Sequence, residues 1–221
     1  MRSEPFLEKE PLTFNEAHSA GIRIWHWTFF IVITGSLLTV LMASTTFRTG
    51  NTTAMVQQQL REKAVSVSTD QARAVAHEFN DKIWDLHKIA GYVLSALVLI
   101  RILLEIAQPG EEKLGRKIRR ALGFQPATPE DNKDRRHYLG VKLGYLVFYF
   151  LILLMALTGL GLAFEDVPVL KTFHQPIKST HALLQYLIYG YIALHLGGVF
   201  LAELRRHKGL VSGMIHGQKR V

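Results

Sequence analysis

The apolar residues of this chain are bunched into four blocks separated by polar, charge-rich segments. The blocks run from Ile22 to Ala43, Ile83 to Ile106, Leu143 to Phe164 and Ala182 to Ala202. A bilayer's hydrocarbon core takes about 20 predominantly apolar residues of helix. The pattern therefore predicts an all-α integral membrane protein, a bundle of four transmembrane helices over residues 22–43, 83–106, 141–164 and 181–204. The first block has only Arg23 and His26 as ionisable residues, both near its start. The second is more charged, with Asp85, His87 and Lys88 at one end and Arg101 and Glu105 at the other. Snorkelling ends let it span; a buried or interfacial helix is the alternative reading.

The polar segments set the expected orientation. Residues 107–138 carry Lys113, Arg116, Lys117, Arg119, Arg120, Lys133, Arg135 and Arg136, and the C-terminal tail adds Arg205, Arg206, Lys208, Lys219 and Arg220. The loops between spans one and two and between spans three and four hold fewer cations, so the positive-inside rule places both termini in the cytoplasm. EEKLGRKIRRALGF has apolar residues at helical spacing under a basic face, which predicts an amphipathic helix against anionic lipid. PATPED reads as a break before the third span. Residues 45–81 are long for a hairpin between spans and rich in helix formers, so one or two periplasmic helices are expected there. That segment is either a partner-binding insert or a solvated cap. The first twenty residues have no cleavable signal pattern, so the first block is expected to stay in the mature chain.

Composition narrows the chemistry. The 221 residues are 48% hydrophobic, carry a net charge of +8 and include no cysteine. Disulfides, iron–sulfur clusters, thiolate metal sites and covalent c-type haem attachment are thereby excluded. No nucleic-acid partner is expected.

The chemical signal lies in the histidines. His181 and His195 stand fourteen residues apart in the fourth block. Fourteen residues of α-helix turn through about 1400°, roughly 40° short of four full turns, and rise ~21 Å. Both rings thus face one side at two depths. An ionisable side chain in a membrane-length apolar segment marks function by default, and imidazole is a standard axial ligand of haem iron. A bis-histidine haem takes its ligands from different helices at matching depth. His26, near the inner end of span one, matches His195; His87, near the outer start of span two, matches His181. Thr13-Phe14-Asn15-Glu16 has capping-box form, which would let helix one start early and carry His26 deeper. Two non-covalent b haems, one near each membrane face, follow. The other histidines fall in loops, tails or span ends; His137 is either a solvated residue or part of a quinone head-group pocket with Tyr138 and Arg101. Gly91, Gly197, Gly198, Gly159 and Gly161 offer room for a macrocycle edge. Arg23, Arg101, Arg205 and Arg206 offer propionate partners inside, and Lys88 and Lys178 outside. Arg101 lies fourteen residues after His87 and is the preferred partner of the inner haem, with snorkelling and pairing to Glu105 as the alternative.

These residues resemble a known family. IRIWHW at residues 22–27 is similar to the R-x-x-H-W entry to helix one of bacterial di-haem cytochromes b, the superfamily of bacterial cytochrome b561 and the Ni,Fe-hydrogenase b-type subunit. His87 to Gly91 resembles that family's H-x-x-x-G second helix, His181 and His195 its fourth helix, and RRHKGLVSGMIHG the end of hydrogenase-type b subunits. The resemblance implies the same haem pairing, exchange with membrane quinone, and electron transfer to or from a periplasmic redox protein or enzyme subunit in the bacterial inner membrane. A homodimer would require no special residue type. Two other functions compete: a stand-alone superoxide:quinone oxidoreductase drawing its anion to Lys88, Lys171 and Lys178, and a haem-free scaffold or metal transporter using the same histidines.

Overall fold

The computed structural model describes residues 19–205 and 209–217. Eight α-helices follow in chain order among them: α1 (Ala20–Ser44), α2 (Thr49–Glu62), α3 (Thr69–Ala107), α4 (Leu114–Gly123), α5 (Pro129–Ala163), α6 (Pro168–Thr172), α7 (His174–Arg205) and α8 (Leu210–His216). Four of them, α1, α3, α5 and α7, are long and apolar enough to cross a membrane. They form an up-and-down bundle. One end, here the terminal face, holds the start of α1 together with α4 and α8. The other, the insert face, holds α2 and α6.

The two longest spans outrun the membrane in opposite directions. At 1.5 Å per residue the 39 residues of α3 rise about 58 Å and the 35 residues of α5 about 52 Å, against a hydrocarbon core of ~30 Å. Each overhang starts with a capping box, in which side chain and backbone satisfy each other's orphan donors. Ser68 Oγ accepts from Gln71 N at 3.2 Å and Gln71 Oε1 from Ser68 N at 2.9 Å. Thr128 and Asp131 repeat the exchange at 3.1 and 2.9 Å, with Pro129 in the first turn. The PATPED break is therefore a helix start, and the outer insert consists of α2 and the first turns of α3 rather than helices separate from the span.

Each overhang is covered by a short helix. α2 packs on α3, burying Thr52, Thr53, Ala72 and Ala76; α4 packs on α5, burying Ala121 and Tyr138. The small residues Ala72 and Ala76, one turn apart, let the α2 backbone approach closely. Glu111, just before α4, is bonded by Arg116 at 2.6 Å and by Arg120. The Arg116 hydrogen bond, helped by both guanidinium charges, holds its carboxyl below the usual carboxylate range.

α1 begins at Ala20, with Ser19 Oγ accepting from Ile22 N at 3.4 Å; the Thr13 to Glu16 pattern lies outside the described residues. Trp25 Nε1 donates to Leu97 O of α3 at 2.8 Å. At the insert face Asn80 Nδ2 donates to Ala43 O and Phe47 O at 3.2 and 2.9 Å, closing the end of α1 against α3. The C-terminal α8 folds back onto the start of α1. Arg23 Nη1 donates to Ile215 O at 3.2 Å and Trp27 Nε1 to Met214 O at 3.0 Å, while Glu203 accepts from the α8 amides of Gly209 and Leu210 at 2.7 and 2.9 Å. Gly217 has φ 75° and lies so close to Arg23 that a Cβ there would collide with the guanidinium.

The core is small and central. Phe29 and Ile33 of α1, Val98 of α3, Ile152 of α5 and Ile188 of α7 are buried together, with Leu94, Phe148 and Met155 packed against them. Much of the remaining apolar surface points outward, including Ile24, Ile31, Leu194 and Phe200, each more than 60% exposed. A helix face of that kind is solvated by lipid tails.

Candidate functional site

The close backbone pairings of the spans run α1 with α3, α3 with α5 and α5 with α7. α7 faces α1 and α3 across wider gaps, and histidines meet in both. His26 of α1 and His195 of α7 have ring centroids 6.5 Å apart near the terminal face. His87 of α3 and His181 of α7 have centroids 6.4 Å apart toward the insert face. His26 reaches His195 from a helix that starts at Ala20, without needing an earlier start.

The spacing discriminates between uses of such pairs. An imidazole nitrogen lies about 1.1 Å from its ring centroid, so a direct end-to-end N···N hydrogen bond of about 3 Å would place two centroids about 5 Å apart. A metal–imidazole bond of ~2 Å on each side places them about 6.2 Å apart. Both pairs match the second distance within a few tenths of an ångström. Among the described residues no three His, Asp or Glu side chains gather as a bare-metal site. Two imidazoles at that spacing could each offer one nitrogen to an iron already held in a macrocycle.

The surroundings of the insert-side pair were not anticipated from the sequence. His87 Nδ1 lies 3.1 Å from Thr39 Oγ1 and 3.3 Å from both Ser36 Oγ and Ser36 O. His181 Nδ1 lies 3.0 Å from Thr158 Oγ1. Trp84, one turn before His87, meets its ring edge-on at 5.4 Å, and its indole Nε1 donates to Asn80 Oδ1 at 3.0 Å. Gly159 makes room for His181, since a Cβ there would stand 3.2 Å from His181 Cε1. Gly91, Gly197 and Gly198 would carry a Cβ into open space, and Gly161 against Ile177.

The terminal-side pair has aromatic and charged neighbours. His195 lies parallel to Tyr191, with centroids 6.3 Å apart at 7°; Tyr191 in turn stacks on Phe148, which meets Phe29 edge-on. Arg101 stands between α3 and α5, its Nε donating to Tyr149 Oη at 3.0 Å and its Nη2 to Glu105 at 3.1 Å. Glu105 passes the connection on by accepting from the Leu114 amide, the first of α4, at 2.7 Å. Arg101 Nη1 and Arg23 Nε are buried without a hydrogen-bond partner. A carboxylate-bearing ligand in the bundle would find donors in these two residues.

The other positions named from sequence are scattered. His174 opens α7 with its Nε2 2.9 Å from Glu165, and His77, His137 and His216 lie in the helices outside both pairs. Lys88 is 3.8 Å from Asp85. His18, Arg206 and His207 lie outside the described residues, and the Arg205 side chain is not described.

The family model described as prokaryotic cytochrome b561 matches residues 17–217. No curated protein and no solved structure matches the chain. The match takes in all four spans and both histidine pairs: the chain belongs to the prokaryotic cytochrome b561 family, a multi-pass membrane b-type cytochrome that binds haem and serves electron transfer.

Proposed function

We propose that the chain holds two b haems, one between His26 and His195 and one between His87 and His181, and that it moves electrons between a periplasmic redox protein or enzyme subunit and the membrane quinone pool. The observation that carries this is the pair of ring separations, 6.5 and 6.4 Å, at two depths of one bundle. Each haem, when bound, supplies a one-electron iron couple. The chain's own part would be to offer each iron two imidazoles, with the hydroxyls of Ser36, Thr39 and Thr158 beside the insert-side rings and the Tyr191 ring beside His195. Arg101 and Arg23 would offer their unpartnered N–H groups to propionates at the terminal side.

The Lys and Arg excess around α4 and beyond α7 supports a cytoplasmic terminal face and a periplasmic insert face in a bacterial inner membrane. The insert of α2 and the α3 overhang is then the surface available to a periplasmic partner. Of the three cations that a stand-alone superoxide reading would use, Lys88 lies 3.8 Å from Asp85. Quinone is assigned to the cytoplasmic side, where Arg101, Tyr138 and His137 lie.

Haem content per chain tests the pairing. Either member of a pair changed to Ala should lower two haems to one, and the double variant His26→Ala/His195→Ala should lose no more. His26→Ala/His87→Ala should lose both. Two haems retained in His181→Ala, with the protein present in membranes at normal level, would refute the assignment. A haem-free membrane fraction of the unaltered chain would return the scaffold or transporter reading.

A further inference from the structure

We propose that Thr39 and Thr158 are positioning residues that fix the tautomer and rotation of the insert-side imidazoles and thereby set that haem's potential apart from the other. This rests on the ligand assignment proposed above. A hydroxyl has one proton to donate. Thr39 Oγ1 donates its proton to Ser36 O at 2.6 Å, so toward His87 Nδ1, 3.1 Å away, it presents only lone pairs. Ser36 O, also an acceptor, lies 3.3 Å from the same nitrogen. Thr158 Oγ1 likewise donates to Leu154 O at 2.8 Å, with Met155 O at 3.1 Å, and turns its lone pairs to His181 Nδ1 at 3.0 Å.

Two helices have arrived at the same device. In each, a threonine bonded back to its own helix presents an acceptor, and at His87 the Ser36 carbonyl presents a second beside the Ser36 hydroxyl, so these contacts favour the tautomer with the proton on Nδ1. The Nε2 lone pair is then left for the space between the rings. Neither threonine shares a helix with either ring of that pair: Thr39 is on α1 and Thr158 on α5, while the rings are on α3 and α7. The rotation of each ring is therefore fixed from outside its own helix. A second hydrogen bond from the distal N–H of a ligating histidine raises its basicity. More electron donation favours ferric iron, so these hydroxyls should hold the insert-side potential lower than it would otherwise stand. The His195 ring, by contrast, has the parallel, offset ring of Tyr191 as its neighbour.

The test uses the full-length chain in membranes or mild detergent. His87→Ala first identifies which of two midpoint potentials belongs to the insert side. Thr39→Val and Thr158→Val keep the side-chain shape and remove the acceptor. Each should retain two haems, raise the insert-side midpoint, alter the low-spin ferric resonance of that haem alone, and leave the terminal-side midpoint in place. Thr39→Ser and Thr158→Ser, which keep the hydroxyl, should restore both properties. Unchanged midpoint and resonance in both Val variants would overturn the positioning role while leaving the ligand assignment intact. Two haems surviving in His87→Ala would instead remove the assignment on which it rests.

Discussion

At the insert face each imidazole is held at its Nδ1 by a hydroxyl from a helix that carries neither ring of the pair, and Trp84 and Gly159 shape the space around them. At the terminal face the His195 ring lies parallel to that of Tyr191 but offset from it, and the guanidiniums of Arg101 and Arg23 on that side are tied toward α4 and α8. One end fixes orientation with neutral hydrogen bonds; the other is dressed with charge and with the short helices that lie at the membrane surface. The same two-ring spacing is thus embedded in two different electrostatic settings, which is how one helix can offer two sites with unlike properties.

The strongest challenge to treating the ends separately is a change between them. Ile188, 1% exposed, lies seven residues from each histidine of α7, and truncating it to Ala leaves a cavity that lipid cannot fill. A loss of about 2 kcal/mol is expected, read as both haem bands disappearing together at a lower temperature on heating. Loss of one band well before the other would show that the core does not couple the two ends.

Arg101→Leu should be smaller and one-sided. It removes a positive charge beside Tyr149 and leaves Glu105 with the Leu114 amide but no countercharge. With less positive charge nearby, the terminal-side midpoint should fall while the insert-side midpoint holds, as a redox titration would show. An equal fall at both ends would blur the contrast between them. Gly159→Ala is the mildest of the three. Its new Cβ would meet His181 Cε1 at 3.2 Å, so the ring must yield by a few tenths of an ångström. A small change in the insert-side ferric resonance is expected, with haem content and the terminal-side signal intact.

The spans were legible because membrane thickness converts directly into a length of apolar sequence, and the approach of the rings because fourteen residues on one helix fix both facing and depth. The helix extents were less so. Apolarity ends at the membrane boundary, whereas α3 and α5 continue to the capping boxes at Ser68 and Thr128. Both boxes are visible as short patterns in the chain, but PATPED carries two prolines, Pro126 and Pro129, which read as a break although Pro129 sits in the first turn that Thr128 and Asp131 cap. Thr39 and Thr158 carried no distinguishing signal, since threonine in any helix can bond back to its own carbonyls. Only the packing of α1 and α5 against the rings gives those hydroxyls a second neighbour. Arg23 was read as a propionate partner; that it also closes the end of α8 depends on residues 192 positions away.

The placement of Ile188 midway between His181 and His195 also makes the core an electrostatic medium. Phe29, Ile33, Val98 and Ile152 close around it and leave little room for water or counter-ions. Over a rise of ~21 Å, and at an effective dielectric constant of ~20, two unit charges interact by about 0.8 kcal/mol. With an iron at each pair, an electron resting at one face would make the arrival of a second at the other measurably harder. That is roughly a fourfold penalty on the second reduction, too small to stop both sites filling but large enough to spread their apparent midpoints in a redox titration.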